Sequence, residues 1–219
     1  AGIATFRTGR IDVSDSLNNT SIGAGAGDAH TTGANNISVG HNALTSNTTG
    51  ATNTSVGKSS LAANTTGSLN TALGTYSLQA NTTANSNTGL GYAALYANTT
   101  GANNVAVGKD SLDSNTTGDK NIAIGVDALE ANTTASNNNA VGYQALEQNT
   151  TGTHNAAFGT WTLDDNTTGV NNTALGNIAL GANTTGSNNT AVGYVALDNI
   201  GTSNDNTAVG AFALTAAQS

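Results

Sequence analysis

The chain has 219 residues, a net charge of -8 and no cysteine, which excludes a disulfide framework, a thiolate metal site and a thiol nucleophile. Its five Lys and Arg cannot furnish the basic face that nucleic-acid phosphates require, and no run approaches the ~18 apolar residues of a membrane span. Charged residues make up only 8% and aromatics 4%, a balance that suits disorder, yet disorder does not hold Leu at one place in successive repeats. Proline is absent, as expected where every backbone N–H is needed for ladder bonds. The chain begins at Ala1 and contains no Met. It is therefore expected to have lost an initiator or a leader, or to be a piece of a longer chain.

Residues 1–18, AGIATFRTGRIDVSDSLN, stand outside any repeat and carry Arg7 and Arg10. Within them Ile11-Asp12-Val13-Ser14 alternates like a strand, and a cap or a junction over the first coil is the expected role. From residue 19 a Gly recurs every 17 residues, from Gly23 through Gly125 to Gly210, in twelve copies without insertion or deletion. Strict spacing of this kind is the mark of a solenoid. The first copy is degenerate, with Gly27 in place of Leu and His30 in place of Asn.

Four places before each Gly stands Asn, at Asn19 and then Asn36, Asn53, Asn70, Asn87, Asn104, Asn121, Asn138, Asn155, Asn172, Asn189 and Asn206. The residue before the Gly is aliphatic or Phe, and the one before that is Ser, Ala or Gly. Leu follows four places after the Gly, from Leu44 to Leu214, and then comes Asn-Thr-Thr, unbroken from Asn47 to Thr185 in nine copies. Short β-branched runs that end at Gly read as strands, and two such strands per period fit a β-solenoid coil. Fold class is therefore all-β, a parallel β-solenoid of about twelve coils over residues 19–214, with 215–219 as a tail. At ~4.8 Å per coil the rod is roughly 55 to 60 Å long.

In-register stacking makes the Asn column a side-chain amide ladder, each amide donating to the next carbonyl along the stack. The Asn-Thr-Thr column is expected to give a second ladder and to satisfy the turn backbone. These triplets also fit the glycosylation sequon, but nine glycans ~4.8 Å apart do not fit sterically. One aliphatic residue and one Leu per coil is a thin core, worth on the order of 3 to 6 kcal/mol against roughly 25 for ordering the coil. Three chains side by side would remedy this, with the Ala/Ser column as the close-packing surface. The same smallness would also serve a tight single coil.

NTAVG at 189–193 and 206–210, GYQAL at 142–146 and NTTG at 149–152 resemble the repeats of phage tail fibres. They are also similar to the head repeats of trimeric autotransporter adhesins, whose pattern runs Ser-Val-Ala-Ile-Gly. The resemblance covers about residues 19–214 and implies a trimeric, left-handed parallel β-roll. Stalk heptads and a membrane anchor are not seen, so a whole autotransporter is not expected.

Little in the sequence points to chemistry. His30, His41 and His154 fall in three different columns, which does not match metal-ligand spacing. No Ser-His-Asp constellation shares matched columns, and Gly-Gly-x-Gly-x-Asp calcium repeats are missing. An enzyme is not expected, nor a metal or cofactor. Asp113, Glu130, Glu147 and Asp164 follow Leu in four successive coils, where the charges splay into water or a cation bridges them. Tyr92, Tyr143 and Tyr194 are spaced 51 residues apart, or three coils, as are Lys58 and Lys109, which suggests duplication of a three-coil unit. With Trp161, these tyrosines form the candidate binding surface, for a cell-surface glycan or for a partner chain; Tyr76, Tyr96 and Phe212 occupy neighbouring places. The sequence reading is a homotrimeric structural fibre, a rigid shaft or adhesive surface that is extracellular or on a virion, binding neither nucleic acid nor inserting in a membrane. An end-to-end filament is the first alternative. An ice-binding solenoid is the second, although adjacent Thr side chains point to opposite faces and the usual two-Thr lattice is not formed.

Overall fold

The computed structural model describes residues 15–215. The chain winds as a parallel β-solenoid with one coil per 17-residue repeat and no helix among the described residues. Each coil carries one strand of three residues, from β1 (Thr20–Ile22) through β7 (Ile122–Ile124) to β12 (Thr207–Val209). The strands form a single twelve-stranded sheet in sequence order. Register is the repeat itself: Ala123 lies opposite Ala140 and Ile124 opposite Val141. The proposed cap strand Ile11–Ser14 lies outside the described residues.

The corner after each strand is fixed by Gly. Gly125 has φ +142°, and a Cβ there would lie 2.1 Å from the carbonyl oxygen of Gly142 in the next coil. Gly23 through Gly193 all repeat that close approach to the next coil, which explains the Gly column. Beyond the corner the backbone turns through left-handed residues that are not Gly: Asp127, Leu129 and Asn137 have φ of 58°, 53° and 63°. Leu is costly in this conformation, by roughly 1–2 kcal/mol. In return its side chain is carried to the centre of the coil, where Leu44 through Leu180 are fully buried. Its N–H is also paired, Leu129 N–H donating to Ala145 O at 3.0 Å.

Two expectations are corrected here. The second strand expected in each period is not found: each coil carries a single strand, and the Asn-Thr-Thr segment bends as a turn whose backbone groups are taken up by side chains and by neighbouring coils. The aliphatic column before the Gly also does not supply the core. Its side chains point outward, with Leu73 45%, Ile124 40%, Phe158 42% and Leu175 50% exposed. The small column, Ser38, Ser55 and then Ala72 to Ala191 with Gly89, faces inward, fully buried against Leu. The physical reason is room. Leu from the opposite turn already fills the narrow coil, and only Ala, Ser or Gly fits beneath it. Gly89 shows how tight the fit is: Ser77 Oγ donates to Gly89 O at 2.9 Å, and a Cβ on Gly89 would lie 2.4 Å from that hydroxyl. The Ala/Ser column therefore serves the tight single coil and is not the surface between chains.

Two Asn columns line the interior, almost every member fully buried. In the strand-side column the side chain mostly bonds backbone. Asn121 Nδ2 donates to Ala135 O at 2.8 Å, and Asn121 Oδ1 accepts the Asn138 N–H at 2.9 Å. Direct amide-to-amide rungs occur near the two ends of this column, as in Asn53 Nδ2 to Asn36 Oδ1 at 3.1 Å and Asn206 Nδ2 to Asn189 Oδ1 at 3.0 Å. The Asn-Thr-Thr column forms a continuous amide ladder: Asn64 donates to Asn47, Asn115 to Asn98 and Asn132 to Asn115, each at 2.8 Å, and so on to Asn183. The next Thr donates its hydroxyl to the carbonyl one coil on, as in Thr116 Oγ1 to Thr133 O at 3.0 Å. All nine asparagines of the Asn-Thr-Thr triplets are buried and bonded, so the folded chain presents none of these nine for glycosylation.

Both ends of the inner ladder stop where the sequence departs from pattern. Asn183 Oδ1 is buried without a partner because Ile200 occupies the next rung. At the other end His30 takes the rung, its Nε2 buried and unpartnered, and burial lowers its pKa. The strand-side column is closed differently. Asp15 Oδ1 accepts the N–H groups of Asn19 and Leu17 at 2.9 and 2.8 Å, and Asp15 Oδ2 accepts Asn19 Nδ2 at 3.0 Å. The carboxylate takes the place that the Asn of the previous coil holds elsewhere in the column, and these donors hold its pKa below the usual range.

Candidate functional site

Two exposed features run along the rod. The first is the outward face of the sheet. Because each strand has only three residues, it presents two outward columns: the aliphatic one and a mixed one, mostly Thr, with Ile37, Val105, Ile122, Asn139 and Ala156. Stacking in register turns the aliphatic column into an apolar stripe about 50 Å long at ~4.8 Å per coil, flanked by the Thr-rich column. Monomeric proteins rarely expose an apolar surface of such continuity.

The second feature is the flank beyond the Gly corner. Tyr92, Tyr143 and Tyr194 occupy the first place after the Gly, 51, 44 and 48% exposed. Each pairs edge-to-face with an aromatic at the second place in an adjacent coil. Tyr92 meets Tyr76 at 5.9 Å between ring centroids, Tyr143 meets Trp161 at 6.0 Å, and Tyr194 meets Phe212 at 5.1 Å. Trp161 Nε1 donates to Gln144 Oε1 at 2.7 Å, which fixes the indole. The four residues singled out in the sequence are thus not one continuous surface; they fall into three aromatic clusters three coils apart, with Tyr143 and Trp161 sharing one.

The first cluster lines an open hollow. Tyr96, at the place after Leu, lies 6.4 Å from Tyr76 with its ring nearly perpendicular, at 88°. Together with Ala93, Asp110 and Asp113 these rings line a cavity of about 520 Å³, and Gln79 lies at its edge with Oε1 buried and unpartnered. The second-place column explains the cavity. It runs Tyr76, Ala93, Asp110 in three successive coils, and the single methyl of Ala93 leaves a notch between two larger side chains. Tyr76 and Tyr96 stood in the sequence only as neighbours of the tyrosine column, and Ala93 and Asp110 were not among the sequence candidates. The signal was a small residue in a column that otherwise holds larger ones on either side.

The acidic column runs beside this cluster. Burial pushes the Asp113 carboxyl up to about 6, and the neighbouring Asp110 and Glu130 add to the shift. Asp164 is likewise pushed up to about 6 by burial and by Asp165, Glu147 and Asp198. Glu130, Glu147 and Asp198 are raised chiefly by burial. Lys109 pairs with Asp110. Among the described residues no three His, Asp or Glu side chains converge closely enough to hold a metal ion, so this column is a ladder of separate, partly desolvated charges.

The fold and its inner ladders define the class: a parallel β-solenoid repeat protein. Compared with protein-family models, curated proteins and solved structures, the chain matches none. No helix among the described residues is long and apolar enough to cross a membrane.

Proposed function

We propose that the chain is a structural fibre element, the rigid shaft or adhesive surface of an extracellular or virion fibre, formed by three copies packed side by side. The observation that carries this reading is the apolar stripe on the outward sheet face. The stripe runs the length of the rod, which favours lateral association over end-to-end stacking. A face only two side-chain columns wide is fully covered when three of them converge on one axis, and closed symmetry of this kind leaves no stripe exposed. The resemblance of NTAVG and GYQAL to tail-fibre and adhesin-head repeats supports the same reading. The aromatic clusters on the flank lie outside the sheet face and remain available for a surface glycan on the assembled fibre.

The test uses the absence of native cysteine. Ile124→Cys places one thiol mid-stripe, and a short bis-maleimide should link chains in pairs through that residue. Tyr143→Cys, on the flank, should link far less. Equal linking of the two variants, or none from Ile124→Cys, refutes lateral packing through the sheet.

A further inference from the structure

We propose that the hollow formed by Tyr76, Tyr92 and Tyr96 over Ala93, with Asp110 and Asp113 beneath, is a binding site for an organic ammonium group, such as a choline-like headgroup. The shape comes from the column arithmetic. Tyr76 and Asp110 are two coils apart, about 10 Å along the axis, and only the Ala93 methyl lies between them in that column. Tyr92 and Tyr96 both stand at steep angles to Tyr76, 79° and 88°. Walls set nearly at right angles suit a rounded guest rather than a flat one lying on a single ring.

Charge selects the guest. Ring faces carry negative quadrupole density and attract a cation within about 6 Å of the centroid. Tyr76 already does this within the chain: Lys58 Nζ lies 5.4 Å from its ring centroid. Below the rings, Lys109 pairs with Asp110, whereas Asp113 is crowded by Asp110 and Glu130 and partly withdrawn from water. A cation seated over Ala93 would face aromatic density on one side and an under-compensated carboxylate on the other. A neutral sugar would gain ring contact and hydrogen bonds but would leave that charge uncompensated. The site lies outside the sheet face, so its fate is independent of the trimer.

The full chain is titrated with choline, and binding is followed by ligand-observed NMR and calorimetry. The neutral carbon isostere 3,3-dimethylbutan-1-ol and galactose serve as comparison probes. Choline should saturate in the millimolar range, with the isostere about tenfold weaker or more, as the loss of one desolvated cation–π contact implies. Ala93→Gln fills the notch with a side chain that the same column already accepts at Gln144, and it should weaken choline at least tenfold while the melting curve is kept. Lys58→Gln removes a resident cation; it should tighten choline about twofold and leave the isostere unchanged. The proposal is overturned if the isostere matches choline, if galactose binds more tightly than choline, or if choline does not saturate by about 100 mM. It also fails if folded Ala93→Gln binds as the parent does.

Discussion

Asn121→Leu probes the interior most sharply. It removes the Nδ2 bond to Ala135 O and the acceptor for the Asn138 N–H. Ala135 O keeps a second donor, Asn132 Nδ2 at 3.1 Å, and the amides of Asn104 and Asn138 keep their bonds to Gly118 O and Gly152 O. The group left stranded is therefore a backbone N–H, that of Asn138, inside a fully buried residue. An orphaned buried donor costs about 1–3 kcal/mol and the lost bond to Ala135 about 1 more. A net loss of about 2–4 kcal/mol per chain lowers the melting temperature by roughly 5–15 °C at this chain length. Asn121→Asp should be worse at neutral pH, because one carboxylate oxygen would face Ala135 O as a buried charge. Its folded-state pKa is then raised, so stability is regained as pH falls, when the acid O–H can donate to Ala135 O. Asp127→Asn is the control. Asp127 is partly exposed with φ 58°, a conformation Asn tolerates, and the change should stay within about 0.5 kcal/mol. Thermal melting by circular dichroism compares the variants. If Asn121→Leu melts with the parent while Asp127→Asn melts far below it, inside and outside have been assigned in reverse.

The remaining expectations use the same assay. Burial raises the carboxyls of Asp113 and Asp164 to about 6 from an unfolded value near 3.8. Their contribution is complete below the unfolded pKa and is lost as pH rises through about 6. Stability should therefore climb from pH 7 to pH 5, by about 1 kcal/mol per group after discounting for solvent screening, and the melting temperature with it; the double variant Asp113→Asn, Asp164→Asn should flatten that slope. Gly125→Ala should cost about 2–4 kcal/mol, since its Cβ would meet Gly142 O at 2.1 Å with φ +142°. Gly201→Ala, with φ +52° and nothing within 4 Å of the new Cβ, should cost only about 1–2. His30→Asn restores an acceptor for Asn47 Nδ2 and removes the unpartnered His30 Nε2, and should raise the melting temperature by roughly 2–4 °C; an unchanged or lower value would show that the ladder does not extend into the first coil.

The period made the coil, its register and the inner Asn-Thr-Thr ladder legible, because identical residues in register have one neighbour each way; in the middle of the strand-side column the expected amide-to-amide rungs give way to bonds with backbone. The parity of the strand was not legible. In Thr-Ala-Val, the apolar Val suggests an inward position, yet the interior is already taken by Leu129 and its equivalents, which enter from left-handed turns that no local preference of Leu announces. Trp161 and Ile178 adopt the same left-handed conformation, φ 50° and 59°, against the preference of bulky and β-branched residues. Two strands per period were expected and one is found; the Asn-Thr-Thr segment is the turn its composition suggests, its asparagine and threonine side chains capturing backbone carbonyls. The aromatic candidates were read chiefly from the tyrosine column with Trp161 beside it, whereas the hollow is built where three variable places of three coils meet, around the smallness of Ala93.

The claim that matters most is that the exposed stripe is an interface between copies. Light scattering coupled to size exclusion, at micromolar chain concentration in neutral buffer, measures it directly. Three copies packed through the sheet face give a folded species of three times 21.5 kDa, and Ile124→Lys with Leu175→Lys shifts it toward smaller species with the strand signal retained in circular dichroism. A folded species of 21.5 kDa for the unaltered chain, with the stripe in water, would contradict it.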